Sequence, residues 1–157
     1  MSWEAVALTG PAAELVREDA RPTVVLFFSP DEQAMNRLLD TSWKFEPIAL
    51  ALLKFRCVRV DVDRMDERAR KSIATTPAVH VYAPDASCLG QIEGRDCCID
   101  GTTRLIKRAW GKLFTLSQST FVRRMTKILD KTAYLEKQPK TPKVEKSLEQ
   151  LREQETA

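Results

Sequence analysis

The run Thr23-Val24-Val25-Leu26-Phe27-Phe28 constrains this chain more than any other segment. Six consecutive β-branched, aliphatic or aromatic residues, with no polar alternation, describe a strand covered on both faces. Such a strand needs helices above and below its sheet, which points to an α/β architecture. With 157 residues the chain can bury roughly two-thirds of its unfolded surface in one core.

The flanking segments supply the helices. Thr9-Gly10-Pro11 ahead of Ala12-Ala13-Glu14-Leu15-Val16 reads as a helix start with Pro near its first position, and Arg21-Pro22 ends it. Ser29-Pro30-Asp31-Glu32 predicts a second start, with Ser29 as cap and Glu32 closing a capping box. Ala34, Met35, Leu38 and Leu39 give that helix an apolar stripe. A break near Thr41-Ser42 precedes a third start at Glu46-Pro47, whose inner face is Ile48, Ala51, Leu52 and Phe55.

Cys57–Val62 alternates as a strand with one polar face, and Asp63 caps a charged helix to about Ser72-Ile73. Thr76-Pro77 opens a strand over Ala78–Tyr82, and a turn at Pro84–Ser87 leads to a shorter edge strand at Cys88–Glu93. Asp100 or Thr102 then starts a helix faced by Leu105, Ile106, Ala109, Trp110, Leu113 and Phe114. A short strand at Trp3–Ala7 completes the set. Long helical connections imply parallel pairing of the early strands, and the tight turn near Asp85 implies an antiparallel pair. The expected fold is a mixed sheet flanked by helices.

This order resembles the thioredoxin-like family. Val24–Phe28 stands where the family has its central strand, Ile73-Ala74-Thr75-Thr76-Pro77-Ala78 resembles its cis-proline segment, and Gly94 matches the glycine closing its last strand. Asn36-Arg37-Leu38, Ser42-Trp43 and Val58-Arg59-Val60-Asp61-Val62-Asp63 resemble the subgroup with a longer second helix. The resemblance spans about residues 8–115. It implies a cis Thr76–Pro77 bond and an edge, formed by Thr76, Pro77, Gly94 and Arg95, that pairs with an extended partner chain. The family's C-x-x-C falls on Glu32-Gln33-Ala34-Met35. Dithiol exchange needs an exposed low-pKa thiolate and a second thiol to resolve the mixed disulfide, and Glu and Met supply neither.

Four cysteines, Cys57, Cys88, Cys97 and Cys98, are too sparse for a disulfide scaffold and read as reduced thiols. Cys57 and Cys88 lie on strand patterns and read as small core residues. Cys97 and Cys98 precede a helix N-terminus, whose dipole lowers a thiol pKa. They are the weak candidates for catalysis. His80, the only histidine, reads as a hydrogen-bonded strand residue, so no metal site and no cofactor are expected.

Charge divides the chain unevenly. Residues 1–103 carry 12 Lys/Arg against 16 Asp/Glu, a net −4, while residues 104–157 carry 13 against 6, a net +7. Ser117 or Ser119 caps a helix to about Lys137, in which Phe121, Met125, Ile128, Thr132 and Leu135 form a 4-3-4-3 seam with Arg123, Arg124, Lys127 and Lys131 beside it. Gln138–Lys143 is a Pro-broken linker, and Val144, Leu148 and Leu151 mark a short amphipathic segment too small to be stable alone. The expected organisation is a domain at 1–115, a basic helix at 116–137 and a linker with a charged tail at 138–157.

These features point to a non-catalytic protein-interaction module, an adaptor or subunit. Its partner has an acidic surface, and its contacts are the Pro77 edge, the seam of Phe121, Met125, Ile128 and Leu135, or both. The alternative is an atypical thiol-disulfide oxidoreductase or redox sensor using Cys97 or Cys98. Nucleic acid is less favoured, because the basic stretch has no interleaved aromatics and phosphate contact alone would carry it. The longest apolar runs, Val24–Phe28 and Ile48–Leu53, fall short of the ~20 residues that span a bilayer. The start Met1-Ser2-Trp3-Glu4 has no signal-peptide pattern, so a cytoplasmic or other reducing compartment is expected.

Overall fold

The computed structural model describes residues 3–8, 12–16 and 21–156. The chain forms two compact units, Met1–Thr115 and Leu116–Ala157. In the first, strands β1 (Glu4–Ala5), β2 (Thr23–Phe28), β3 (Arg56–Asp61), β4 (Ala78–Tyr82) and β5 (Cys88–Glu93) form one sheet in the order β1-β3-β2-β4-β5. β1, β3 and β2 are parallel, β4 runs antiparallel to β2, and β5 antiparallel to β4. That order and those directions are the thioredoxin-like fold.

β2 is central, and Thr23 to Phe27 are buried, as an unbroken apolar run requires. One sheet face carries Val25, Phe27, Val58, Val60, Ala78 and Tyr82 against Leu8, Ala12, Leu15, Ala69 and Ile73. The other face carries Val24, Cys57, Val79 and Val81. It lies under helices α1 (Gln33–Lys44), α2 (Glu46–Ala51) and α4 (Ile99–Leu113), whose Leu39, Trp43, Ile48, Ala51, Leu105, Ile106, Ala109 and Trp110 are buried. Phe55, Trp110 and Phe114 close that side with ring centroids 4.4–6.2 Å apart. Arg56, a buried cation on β3, is bonded to the Glu4 carboxylate and the Leu15 carbonyl. It thereby fixes the N-terminal segment to the sheet.

Several local expectations are corrected. The helix start at Thr9-Gly10-Pro11 lies outside the described residues, and Ala12–Leu15 forms only a 3₁₀ turn. No capping box forms at Ser29-Glu32: α1 begins at Gln33 without a side-chain cap, and both side chains bond elsewhere. The break at Thr41-Ser42 is absent, because α1 continues to Lys44 and the chain turns at Phe45. Asp63 caps no helix. Asp61 caps a 3₁₀ turn at Val62–Arg64, and Asp66 caps the short helix α3 (Glu67–Arg70). The helix after the last strand starts at Ile99, with Cys98 at its N-cap.

The second unit is a helical hairpin, α5 (Gln118–Glu136) and α6 (Pro142–Thr156). Ser117 caps α5 by accepting the Thr120 amide. Phe121, Met125 and Ile128 are 7, 2 and 7 % exposed, and Leu135 is half-buried. The seam pattern alone fits either cover within the chain or a docking surface for a partner. Its first three positions are covered within the chain, because apolar side chains of this size are worth roughly 1.5–3 kcal/mol each when removed from water. α6, a 15-residue helix, buries Leu151 and half-buries Val144 and Leu148.

Candidate functional site

The turn after β2 and the approach to β4 meet at the sheet's C-terminal edge. Ser29 and Glu32 begin this turn, where the Glu32 amide donates to the Ser29 carbonyl at 3.2 Å. Asn36, on the first turn of α1, donates from Nδ2 to the same carbonyl at 3.0 Å. The Ser29 hydroxyl donates to Asp63 Oδ2 at 2.7 Å, and Arg70 Nη1 donates to Asp63 Oδ1 at 3.2 Å. These two bonds, from Ser29 first and Arg70 second, hold the Asp63 carboxyl below its ordinary range. The Thr76 hydroxyl donates to Glu32 Oε1 at 2.9 Å. Glu32 is therefore an anchored side chain, tied across the turn to the segment that leads into β4.

The Thr76–Pro77 peptide is cis. Pro77 is buried, and its carbonyl accepts the Gly94 amide at 2.7 Å. Gly94 adopts φ +55°, a left-handed conformation open to glycine at little cost. Arg95, one residue on, is exposed. The structure thus brings together Thr76, Pro77, Gly94 and Glu32. Of these, Pro77 positions the segment from beneath and offers no surface of its own. Among the described residues, Ala74, Thr75 and Thr76 make no backbone hydrogen bond. Three consecutive peptide units where the chain enters β4, at the end of the sheet, are left for solvent or another chain.

The adjacent cysteines part company. Cys97 is fully buried, its Sγ 3.5 Å from the Pro77 carbonyl, and the Cys97 carbonyl accepts the Ser42 hydroxyl at 2.9 Å. Burial pushes its thiol up to about 12, and the carboxylate of Asp96 adds to the rise. At Cys97, therefore, loss of solvation outweighs the dipole of α4. Cys98 is half-buried at the N-cap of that helix. All four cysteines are free. Cys57 is buried, with its thiol raised to about 12 by desolvation. Cys88, expected in the core, is exposed: β5 is an edge strand, and a register shift against Val81 and Tyr82 turns Cys88 away from the face on which Gly90 meets Leu105 of α4.

His80 is buried in β4, its Nδ1 3.0 Å from the Tyr82 hydroxyl and its ring 5.0 Å from that of Phe27. Desolvation lowers its pKa. Its Nε2 has no partner among the described residues. Sequence reasoning missed the Ser29–Asp63–Arg70 network entirely, since its members are far apart in the chain and individually resemble capping residues. Among the described residues no helix is long and apolar enough to cross a membrane.

No protein-family model and no curated protein matches the sequence. Among solved structures, a designed protein is 21 % identical over 68 % of this chain and 90 % of that one, with a TM-score of 0.50. Thioredoxin from Fasciola hepatica is 22 % identical over 66 % of this chain and 98 % of its own, with a TM-score of 0.49. The reduced thioredoxin pre-protein of Schistosoma mansoni is 22 % identical over 71 % and 99 %, with a TM-score of 0.46. Similarity at this level extends to the fold and no further.

Proposed function

We propose that this chain is a non-catalytic protein-interaction module, an adaptor or subunit of a larger assembly. The observation that carries the reading is the edge at Ala74–Thr76, where unpaired peptide groups flank Pro77 and the dithiol position holds Glu32 bonded to Thr76. An extended segment of a partner would pair with those peptide groups through main-chain hydrogen bonds. Arg95 would sit beside it as a charged contact. The oxidoreductase alternative needs a thiolate, and the nearer thiol, Cys97, is buried and held protonated. The acidic character expected of a partner attaches to the basic C-terminal unit rather than to this edge.

Insulin reduction tests the negative half of this reading. The full chain should not exceed a thiol-free control, and turnover sustained by thioredoxin reductase would overturn it. Crosslinking from an Arg95 photoprobe should capture a defined partner, and Thr76→Arg should remove that capture while leaving the far-UV spectrum unchanged. Capture that survives Thr76→Arg would place the contact elsewhere.

A further inference from the structure

Arg123, Arg124, Lys127 and Lys131 follow one another along a single side of α5 at spacings of 1, 3 and 4. All four are exposed, and among the described residues none is ion-paired. Like charges at i and i+4 oppose helix formation, so this arrangement is unfavourable until an anion meets it. The four cations line a groove of about 710 Å³ in the hairpin, with Ile128 and Leu151 in its lining and no acidic side chain. None of the α6 carboxylates is in that lining, although Glu155, four residues after Leu151, shares its face of the helix. Glu145, Glu149 and Glu153 recur at four-residue spacing, and Glu149 lies about 160° around the helix from Leu151.

We propose that this groove seats an amphipathic helix of a partner protein, its apolar stripe over Ile128 and Leu151 and its carboxylates against Arg123, Arg124, Lys127 and Lys131. Two antiparallel helices joined by a short linker leave a furrow that a third helix fits, and an apolar floor between charged walls is the pattern of helix-in-groove recognition. The guanidinium groups match carboxylates with paired, directional bonds. A nucleic acid would find phosphate contacts here, but the aliphatic floor offers its bases neither an aromatic face nor hydrogen bonds. Ile128 and Leu151 are largely covered already. Charge therefore carries most of the affinity, and the apolar contact sets register. The site does not involve the Pro77 edge, so either proposal can fail without the other.

The test is fluorescence anisotropy with the full chain and a labelled synthetic helix of about 18 residues, long enough for the groove, with Leu at i, i+3, i+4, i+7 and Glu on its flanks. The Glu peptide should bind, weakening steeply with salt. Its Gln counterpart should bind at least tenfold more weakly, and replacing Leu by Ser should cost a few-fold. Lys127→Glu with Lys131→Glu should lower affinity for the Glu peptide at least tenfold. The milder pair Lys127→Ala with Lys131→Ala should lower it less, both with unchanged circular dichroism melts. Equal binding of the Gln peptide, undiminished binding by the charge-reversed variant, or no binding at all would overturn the proposal. So would an oligothymidylate that binds more tightly than the Glu peptide, which would mark the groove as a nucleic-acid site.

Discussion

Cys97 and Cys98 are neighbours in the chain and have the same chemistry, yet only Cys97 is sealed beneath Pro77. Its thiol, together with those of Cys57 and the Tyr82 hydroxyl, is raised to about 12 by burial. In the unfolded chain the thiols ionise near their ordinary 9.0 while the folded chain keeps its protons. The folded state then binds more protons, so stability falls as pH rises from about 9 toward 12. Urea unfolding should show this as a midpoint that declines as pH rises from about 9 toward 11, and a flat midpoint there would contradict the burial of both thiols. On the acid side, the lowered pKa of His80 acts with the opposite slope, removing stability as pH falls below the ordinary 6.5. Neither slope is readable from residue type, because each depends on what covers the group.

Among the elements, β2 was legible because burial on both faces leaves a sequence record six residues long. Helix starts were less so. Ser29-Pro30-Asp31-Glu32 has every residue of a capping box, but Asp63 and Thr76 compete for Ser29 and Glu32, from 34 and 44 residues away. α4 shows the converse. Gly101 looks like a weak point, since Gly costs a helix interior about 1 kcal/mol relative to Ala. A Cβ there, however, would collide with the carbonyl of Asp96 in the preceding 3₁₀ turn. Gly101→Ala should therefore destabilise, by about 1–3 kcal/mol as overpacking does. Chemical denaturation would measure it, and a stabilised variant would refute the close approach.

For the molecule as a whole, the division at Thr115 separates a complete sheet with helices on both faces from a hairpin of two helices. The first unit has its own core and closes with the Phe55–Trp110–Phe114 cluster. A fragment of residues 1–115 should keep the far-UV spectrum of a mixed α/β domain and unfold in one cooperative step. Loss of near-UV signal in that fragment would show that the hairpin is required for the core. The hairpin itself was half legible. The heptad seam was plain, but what covers it was not: Phe121, Met125 and Ile128 are buried within the chain, and the cations beside them are the accessible surface.

What the sequence alone determined rests on periodicity and composition: a doubly covered strand at Thr23–Phe28, an edge strand at Cys88–Glu93, and a positive C-terminal third. Each is a local property, recorded within a few residues or in a simple sum of charges. Tertiary structure alone decided which polar groups found partners, which of two adjacent thiols is sealed, and which side of α5 is left to solvent. Those outcomes depend on groups brought together from distant parts of the chain, where burial and hydrogen bonding, rather than local propensity, set the energy.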